Sequence, residues 1–191
     1  MSNRKDTLRA VKVLLGVSGG ISAYKSVDLA SKLTAAGAKV QTVMTQAACQ
    51  LIGPKSFEAV TCSAVFTKLW SSTEDYSSSH ISLRQWSDVV VVAPATADII
   101  GKTANGICDD LLSTTLCVCC GKPLLFAPAM NSNMWNNPAV QRNVAMLKEM
   151  GVEFIGPEQG RLACGTEGIG RMSEPEDILK AIEKIAAKNG K

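Results

Sequence analysis

Residues 11–20 of the chain read VKVLLGVSGG, an apolar run that ends in a serine and two glycines. The part 11–17 has the length and composition of a strand that is buried on both faces. An amphipathic stretch follows from about 21 to 36, and Gly37 stands where a helix would end. This order predicts a strand, a glycine turn and a helix, which is the first βα unit of a parallel sheet.

The same alternation of strands and helices continues along the chain. Further strands are predicted at 39–44, 88–93, 123–127 and 152–155, with helical stretches between them. The polar segment 71–79 is predicted to be a loop, and a glycine-rich loop at 156–173 precedes a terminal helix at 174–188. The pattern predicts an α/β fold, a three-layer, Rossmann-like (flavodoxin-like) doubly wound parallel sheet that forms one domain over residues 1–191.

Composition limits the possible partners. The 191 residues carry a net charge of +3 that is spread along the chain, whereas a nucleic-acid partner requires Lys and Arg clustered on one face. The first ten residues are polar and charged, and no apolar run reaches the roughly 20 residues that span a bilayer. We therefore expect a cytoplasmic protein that binds a small molecule and neither nucleic acid nor a membrane.

Ligands of a doubly wound sheet bind in the crevice at the carboxyl ends of the strands. The informative residues of this chain stand directly after predicted strands, where the sheet would bring them together. They are Ser18, Gly19 and Gly20, then Thr45, then Thr96, Ala97 and Asp98 in the segment PATAD, and Asn131 in the segment PAMN. Their placement predicts a binding site at this edge of the sheet.

The glycine turn could hold several ligands, and each makes a further demand on the sequence. A dinucleotide loop needs G-x-G-x-x-G and an acidic residue after the second strand, where Thr45 stands instead. A P-loop needs a glycine at the position of Tyr24, and a hydrolase with Ser18 as nucleophile normally has its histidine last. What remains is a mononucleotide phosphate such as that of FMN, or an ordinary βα turn, which the spacing alone fits equally well.

Three residues could carry chemistry. His80 is the only histidine, so an imidazole acid or base would have to be this residue, and no metal site is expected. Cys164 lies in a loop with four glycines and two arginines, whose charge could favour the thiolate, and Asn131 offers a neutral amide to a carboxylate. Each has a structural alternative: a surface or capping histidine, an ordinary loop cysteine and a helix cap. Thr45 also fits a helix cap.

Four segments, each weakly specific alone, occur in a fixed order along the chain. They are GVSGGI at 16–21, His80 ahead of PATAD at 94–98, PAMN at 128–131 with MW at 134–135, and LACG at 162–165. Together they resemble the flavin-containing cysteine decarboxylase family over almost the whole chain. The cysteine loop is similar to that of the phosphopantothenoylcysteine branch rather than that of the lantibiotic peptidyl-cysteine branch. The PATAD form is similar to that of bacterial bifunctional proteins, but we expect no synthetase domain within these residues.

The resemblance implies an FMN-dependent enzyme, a carboxy-lyase of coenzyme A biosynthesis. Its expected reaction converts 4'-phosphopantothenoylcysteine into 4'-phosphopantetheine by oxidation of the thiol to a thioaldehyde, loss of CO2 and re-reduction. By the same resemblance, His80 is the base, Asn131 contacts the carboxylate and Cys164 donates the final proton. FMN is expected to bind at Ser18, Gly19, Gly20, Thr45, Thr96, Ala97 and Asp98, and substrate at Asn131, Met134, Ala163 and Gly165.

The resemblance further implies a homotrimer or a homododecamer with FMN near a subunit boundary. Three alternatives stay open at this point. A peptidyl-cysteine decarboxylase would accept a peptide C-terminus, and a flavin prenyltransferase of the same fold would have no need of Cys164. A flavodoxin-like electron carrier would keep the FMN loop but would have no use for His80, Asn131 and a cysteine lid together.

Overall fold

The computed structural model describes residues 7–70 and 79–190. Six parallel strands form the main sheet: β1 (Lys12–Val17), β2 (Lys39–Met44), β3 (Val65–Phe66), β4 (Val89–Ala95), β5 (Leu124–Pro128) and β6 (Glu153–Phe154). Their order is β3-β2-β1-β4-β5-β6, the Rossmann order, and without the two-residue edge strand β3 it is also the flavodoxin order. The predicted fold class is confirmed.

Helices connect the strands and cover both faces of the sheet. They are α1 (Ala23–Ala35), α2 (Gln46–Cys49), α3 (Pro54–Thr61), α4 (Ser79–Trp86), α5 (Ala97–Asn105), α6 (Leu111–Val118), α7 (Ser132–Trp135), α8 (Pro138–Glu149) and α9 (Pro175–Lys188). On one face α1 packs against α3 and α9, and on the other α5 packs against α6 and α8. None of the helices within the described residues is long and apolar enough to cross a membrane.

Two hydrophobic cores explain why the central strands are apolar without alternation. Alternate residues of β1 and β4, such as Leu15 and Val91, are buried under α1 and α9. The residues between them, such as Leu14 and Val90, are buried on the opposite face with Phe126. A strand that contributes to both cores has no solvent-facing side, so a continuous apolar run is what its position requires.

Helix caps place polar groups directly at the strand ends. Thr45 accepts a hydrogen bond on Oγ1 from the backbone nitrogen of Ala48 at 3.1 Å, which confirms it as an N-cap. Thr96 caps α5 in the same way through Ile99. In both cases a strand ends and a helix begins within two residues, so a capping side chain stands at the carboxyl edge of the sheet.

The segment 156–173, predicted to be a loop, contains an antiparallel hairpin, so that prediction was wrong. Its strands are β7 (Glu158–Arg161) and β8 (Glu167–Arg171). The strands carry glycines and lack apolar alternation, so sequence periodicity gives no sign of them. The short helix α7 was also not predicted. Residues 71–78 of the predicted loop 71–79 lie outside the described residues.

Candidate active site

A cleft of about 1070 Å³ opens at the carboxyl ends of the sheet strands, at the large end of the range for ligand sites. Eleven of the predicted site residues line it: Gly19, Gly20, Thr45, Thr96, Ala97, Asp98, Asn131, Met134, Ala163, Cys164 and Gly165. Two walls face each other across the opening. The sheet wall consists of Gly19, Gly20, Thr45 and residues 96–98, and the hairpin wall consists of residues 161–165 with Gly170 and Arg171.

The glycine turn of the sheet wall is closely packed, and Gly19 has no room for a side chain. A Cβ placed on Gly19 would collide with the Cβ of Ala47 and approach its backbone. A Cβ on Gly20 would lie 3.2 Å from Cγ2 of Thr96. The two glycines let the backbone of the turn lie against α2 and the start of α5, so the floor of the cleft is made of main chain.

Ser18 lies behind this floor rather than in the cleft. Its buried hydroxyl donates to the carbonyl oxygen of Pro94 at 2.7 Å and accepts from the backbone nitrogen of Thr96 at 3.1 Å. These bonds tie the end of β1 to the end of β4. Ser18 is absent from the residues that line the cleft, and a role in binding FMN stays a prediction.

Charged side chains that sequence reasoning missed also line the cleft. Lys102 lies 3.2 Å from Asp98 and 3.1 Å from Asp109, and the i,i+4 spacing of Asp98 and Lys102 was the available signal. Burial lowers the pKa of Lys102, but hydrogen bonds to the two aspartates outweigh burial and hold this pKa above its ordinary value. On the other side Lys25, at the start of α1, pairs with Glu174 at 2.8 Å.

Cys164 lies at the tip of the hairpin and is exposed. Its sulfur is 3.1 Å from Oγ1 of Thr166 and 3.5 Å from Nδ2 of Asn131. The side-chain bond to Thr166, followed by the backbone N–H of Thr166, lowers the pKa of the Cys164 thiol. The main causes are hydrogen bonds rather than the nearby arginine charge suggested by the sequence.

The side-chain amide of Asn131 makes a different hydrogen bond at each of its two ends. Oδ1 accepts a hydrogen bond from the backbone nitrogen of Asn133 at 2.8 Å, so the side chain caps α7. The same bond fixes the amide so that Nδ2 donates to the sulfur of Cys164. Capping and presentation of a donor to the cleft are therefore compatible functions of one side chain.

Backbone contacts hold the hairpin wall in place. The backbone nitrogen of Met130 donates to the carbonyl oxygen of Gly170 at 3.0 Å. A Cβ on Gly170 would collide with the carbonyl oxygen of Met130, so only glycine permits this approach. Cys164 and Asn131 meet because the strand that follows the cysteine lies directly against the PAMN segment.

Within a single chain, His80 does not line this cleft. It lies in the first turn of α4, is half-buried and is absent from the residues that line the cleft. A single chain thus joins Asn131 and Cys164 but leaves the only histidine elsewhere.

The fold and the cleft define a class of protein: a doubly wound α/β domain with a glycine turn and a thiol that both line one cleft at the strand ends. The Flavoprotein family model matches residues 1–187. The chain therefore belongs to the Flavoprotein family, which confirms the resemblance read from its motifs.

Relatives and solved structures agree with this membership. The coenzyme A biosynthesis bifunctional protein CoaBC of Bacillus subtilis is 48% identical over 172 residues, which is 90% of this chain and 42% of that protein. A PPC decarboxylase mutant complexed with pantothenoylaminoethenethiol is 37% identical with a TM-score of 0.82, and the match covers 91% of this chain and 97% of that one. The FMN binding protein AtHal3 is 36% identical with a TM-score of 0.82, over 94% of this chain and 98% of that one. The chain spans less than half the length of the Bacillus relative.

Proposed function

We propose that this chain catalyses the FMN-dependent decarboxylation of 4'-phosphopantothenoylcysteine to 4'-phosphopantetheine, a cytoplasmic step of coenzyme A biosynthesis. The observation that carries the proposal is the contact of Cys164 with Asn131 in the cleft of a Flavoprotein-family chain. The names of the relatives support the same reaction. The proposal covers this reaction alone and assigns it to residues 1–191 as one domain.

The residues of the sheet wall fit FMN. Gly19 and Gly20 leave main chain exposed beside the N-termini of α1 and α5, where backbone N–H groups favour a phosphate. Thr45 replaces the acidic residue that would bind the ribose of an adenine dinucleotide. We assign Gly19, Gly20, Thr45 and residues 96–98 to FMN, with Ser18 supporting them from behind. When bound, FMN would supply the two-electron oxidation of the substrate thiol and return the electrons at the end.

Asn131 is suited to a carboxylate that has to be lost. Loss of CO2 removes the negative charge of the carboxylate, so a strong ion pair in the ground state would raise the barrier. The neutral amide of Asn131, fixed by its bond to Asn133, offers a donor without that penalty. Met134, Ala163 and Gly165 line the same part of the cleft and are assigned to substrate contacts.

Cys164 is assigned as the proton donor that follows decarboxylation. The enethiolate formed by loss of CO2 needs a proton on carbon before the product is complete. The S–H bond of Cys164 would break, a C–H bond would form, and the electron pair would stay on sulfur as a thiolate. Hydrogen bonds that lower the pKa of Cys164 favour this transfer because they stabilise the thiolate it leaves.

His80 is assigned as the base in the oxidative half, supplied by a second copy of the chain. Its position outside the cleft of its own chain supports this assignment, as does the exposure of Ile21 and Tyr24 on the cleft rim, where a second copy could cover them. The expected assembly is a homotrimer or a homododecamer.

The first experiment is mass spectrometry of phosphopantothenoylcysteine after incubation with the FMN-loaded protein. We expect phosphopantetheine, lighter by one CO2. Cys164→Ser should still oxidise and decarboxylate but stop at an oxidised enethiol, and His80→Asn should leave the substrate unchanged. Normal product from both variants would overturn the assigned roles. Unchanged substrate with FMN bound would contradict the proposed substrate, and a peptide ending in cysteine would then be the next substrate to assay.

The shared site has a separate test. Co-expression of His80→Asn and Cys164→Ser chains should give mixed oligomers with partial activity, since some sites would combine an intact histidine with an intact cysteine from different copies. Each variant expressed alone should be inactive. A monomer by light scattering, or no recovery in the mixed oligomer, would contradict the assignment of His80 to a second copy.

A further inference from the structure

The sulfur of Cys164 has more hydrogen-bonding partners than the proposed proton transfer alone explains. Oγ1 of Thr166 lies 3.1 Å from it, and Nδ2 of Asn131 lies 3.5 Å from it. Cys119 has the opposite surroundings, because burial raises the pKa of that thiol to about 11. The shorter of the two contacts of the Cys164 sulfur comes from Thr166.

The geometry of the turn fixes Thr166 relative to the cysteine. The backbone nitrogen of Leu162 donates to the carbonyl oxygen of Thr166 at 2.8 Å, and that of Gly165 donates to the carbonyl oxygen of Leu162 at 2.9 Å. Gly165 has φ +86°, a left-handed conformation that glycine adopts without strain. The side chain of Leu162 is buried and anchors the start of the turn. Cys164 and Thr166 thus belong to one closed turn that positions both side chains before any substrate binds.

We propose that Thr166 is a positioning residue for the proton donation by Cys164, holding the sulfur toward Asn131 and stabilising the thiolate that remains after the transfer. The inference rests on the proposed function. It adds a residue that neither the motifs nor the resemblance indicated.

The hydroxyl of Thr166 has a different hydrogen-bonding role before and after the proton transfer from Cys164. Before the transfer the hydroxyl of Thr166 and the thiol can exchange donor and acceptor roles, since either atom can donate at this distance. After the S–H bond breaks, the sulfur can only accept, and the hydroxyl of Thr166 donates to it. A proton from solvent then restores the thiol. Thr166 exchanges no proton with the substrate and acts only through Cys164.

The first test measures the thiol directly and needs no substrate. FMN-loaded protein is alkylated with iodoacetamide between pH 5 and pH 10, and modification of the peptide that contains Cys164 is followed by mass spectrometry. In Thr166→Val the midpoint of the pH profile should move up, and alkylation at pH 7 should slow by roughly tenfold, the effect of losing one hydrogen bond to a charged group. Thr166→Ser keeps the hydroxyl and should restore the wild-type profile. Thr34→Val, which removes a hydroxyl bonded to a carbonyl of α1, should change nothing.

The second test follows a single turnover with phosphopantothenoylcysteine. Thr166→Val should release CO2 at the wild-type rate and then accumulate the oxidised enethiol, because only the step that uses Cys164 is slowed. Thr166→Ser should form product without this accumulation.

The two tests separate failure of the inference from failure of the function. A wild-type alkylation profile in Thr166→Val would overturn the role of Thr166, whatever the substrate. Normal product formation by Thr166→Val, without the enethiol, would overturn it while leaving the proposed function intact. If the wild-type protein makes no product, the proposed reaction is wrong. A shifted alkylation profile in Thr166→Val would then still show that Thr166 acts on the thiol, but not that it acts in proton donation. If Thr166→Val does not fold, a wild-type profile in Thr166→Ala, which has no side-chain donor, would contradict the inference.

Discussion

The two walls of the cleft are held in place by different kinds of interaction. The sheet wall continues directly from buried strands. Its turn packs closely against its neighbours because Gly19 and Gly20 have no side chains, and the buried hydroxyl of Ser18 bonds to the end of β4. The hairpin wall lies outside the main sheet and depends on a few backbone contacts, such as that between Met130 and Gly170. The sheet wall is therefore held by the core, whereas the hairpin wall is held by its contacts with the PAMN segment and by the buried side chain of Leu162.

The largest effect should come from the docking contact of the hairpin wall. Gly170→Ala would force a Cβ against the carbonyl oxygen of Met130 and push β8 away from the PAMN segment. Turnover should fall by about a hundredfold, since a misplacement of about 1 Å can have that effect, while thermal stability and FMN binding change little. Product formation, flavin titration and thermal melting measure these three quantities.

Ile169→Ala is the control for the hairpin wall, because it alters the same strand at a partly exposed side chain. It should retain most of the activity. Equal loss of FMN binding and of activity in Gly170→Ala would show that the two walls are not held in place independently.

The next effect should fall on the sheet wall and on the cofactor. Gly19→Ala would press a Cβ into Ala47, whose Cβ and backbone cannot rotate away. Overpacking of this kind costs about 1–3 kcal/mol, so FMN affinity should fall roughly ten- to a hundredfold. Fluorescence titration of FMN measures the change. Gly53→Ala, where a Cβ meets nothing within 4 Å, should bind FMN as the wild type does.

Ser18 should matter for stability. Ser18→Ala leaves the N–H of Thr96 without its partner and the carbonyl of Pro94 with only the 3.4 Å bond from the backbone nitrogen of residue 18, so the free energy of unfolding should fall by about 1–3 kcal/mol. Denaturant unfolding measures this, with the exposed Ser31→Ala as the control. If Ser18→Ala instead weakens FMN binding and leaves the free energy of unfolding unchanged, the hydroxyl contributes to cofactor binding and not to the link between β1 and β4.

The smallest expected effect has the opposite sign. Oγ1 of Thr42, on β2, is buried and has no hydrogen-bond partner among the residues that the structure describes. Thr42→Val should raise the free energy of unfolding by about 1 kcal/mol, because it removes an unsatisfied hydroxyl from the core of the sheet. Thr61→Val, which removes a hydroxyl bonded to Phe57 at 2.8 Å, should lower it. A loss of stability in Thr42→Val would mean that the hydroxyl is satisfied after all.

The sequence by itself determined the sheet and its binding edge. Buried apolar runs specify parallel strands because both faces of each strand lie in a core, and a glycine turn or a capping threonine after such a run is recognisable by local chemistry. Thr45 could therefore be recognised as a helix cap from its neighbours alone, and Thr96 as a residue that follows a strand. The order of the four motifs then gave the family.

Tertiary structure alone decided how the remaining residues meet. The hairpin 158–171 has little strand propensity, and its position depends on contacts with a segment about 40 residues earlier, so local patterns could not reveal it. The contact of Cys164 with Asn131 follows from that packing, and the position of Ser18 behind the floor follows from the packing of β1 against β4. His80 is absent from the residues that line the cleft. Periodicity reports which side of an element is buried, whereas contacts between distant segments depend on how the whole chain is arranged in space.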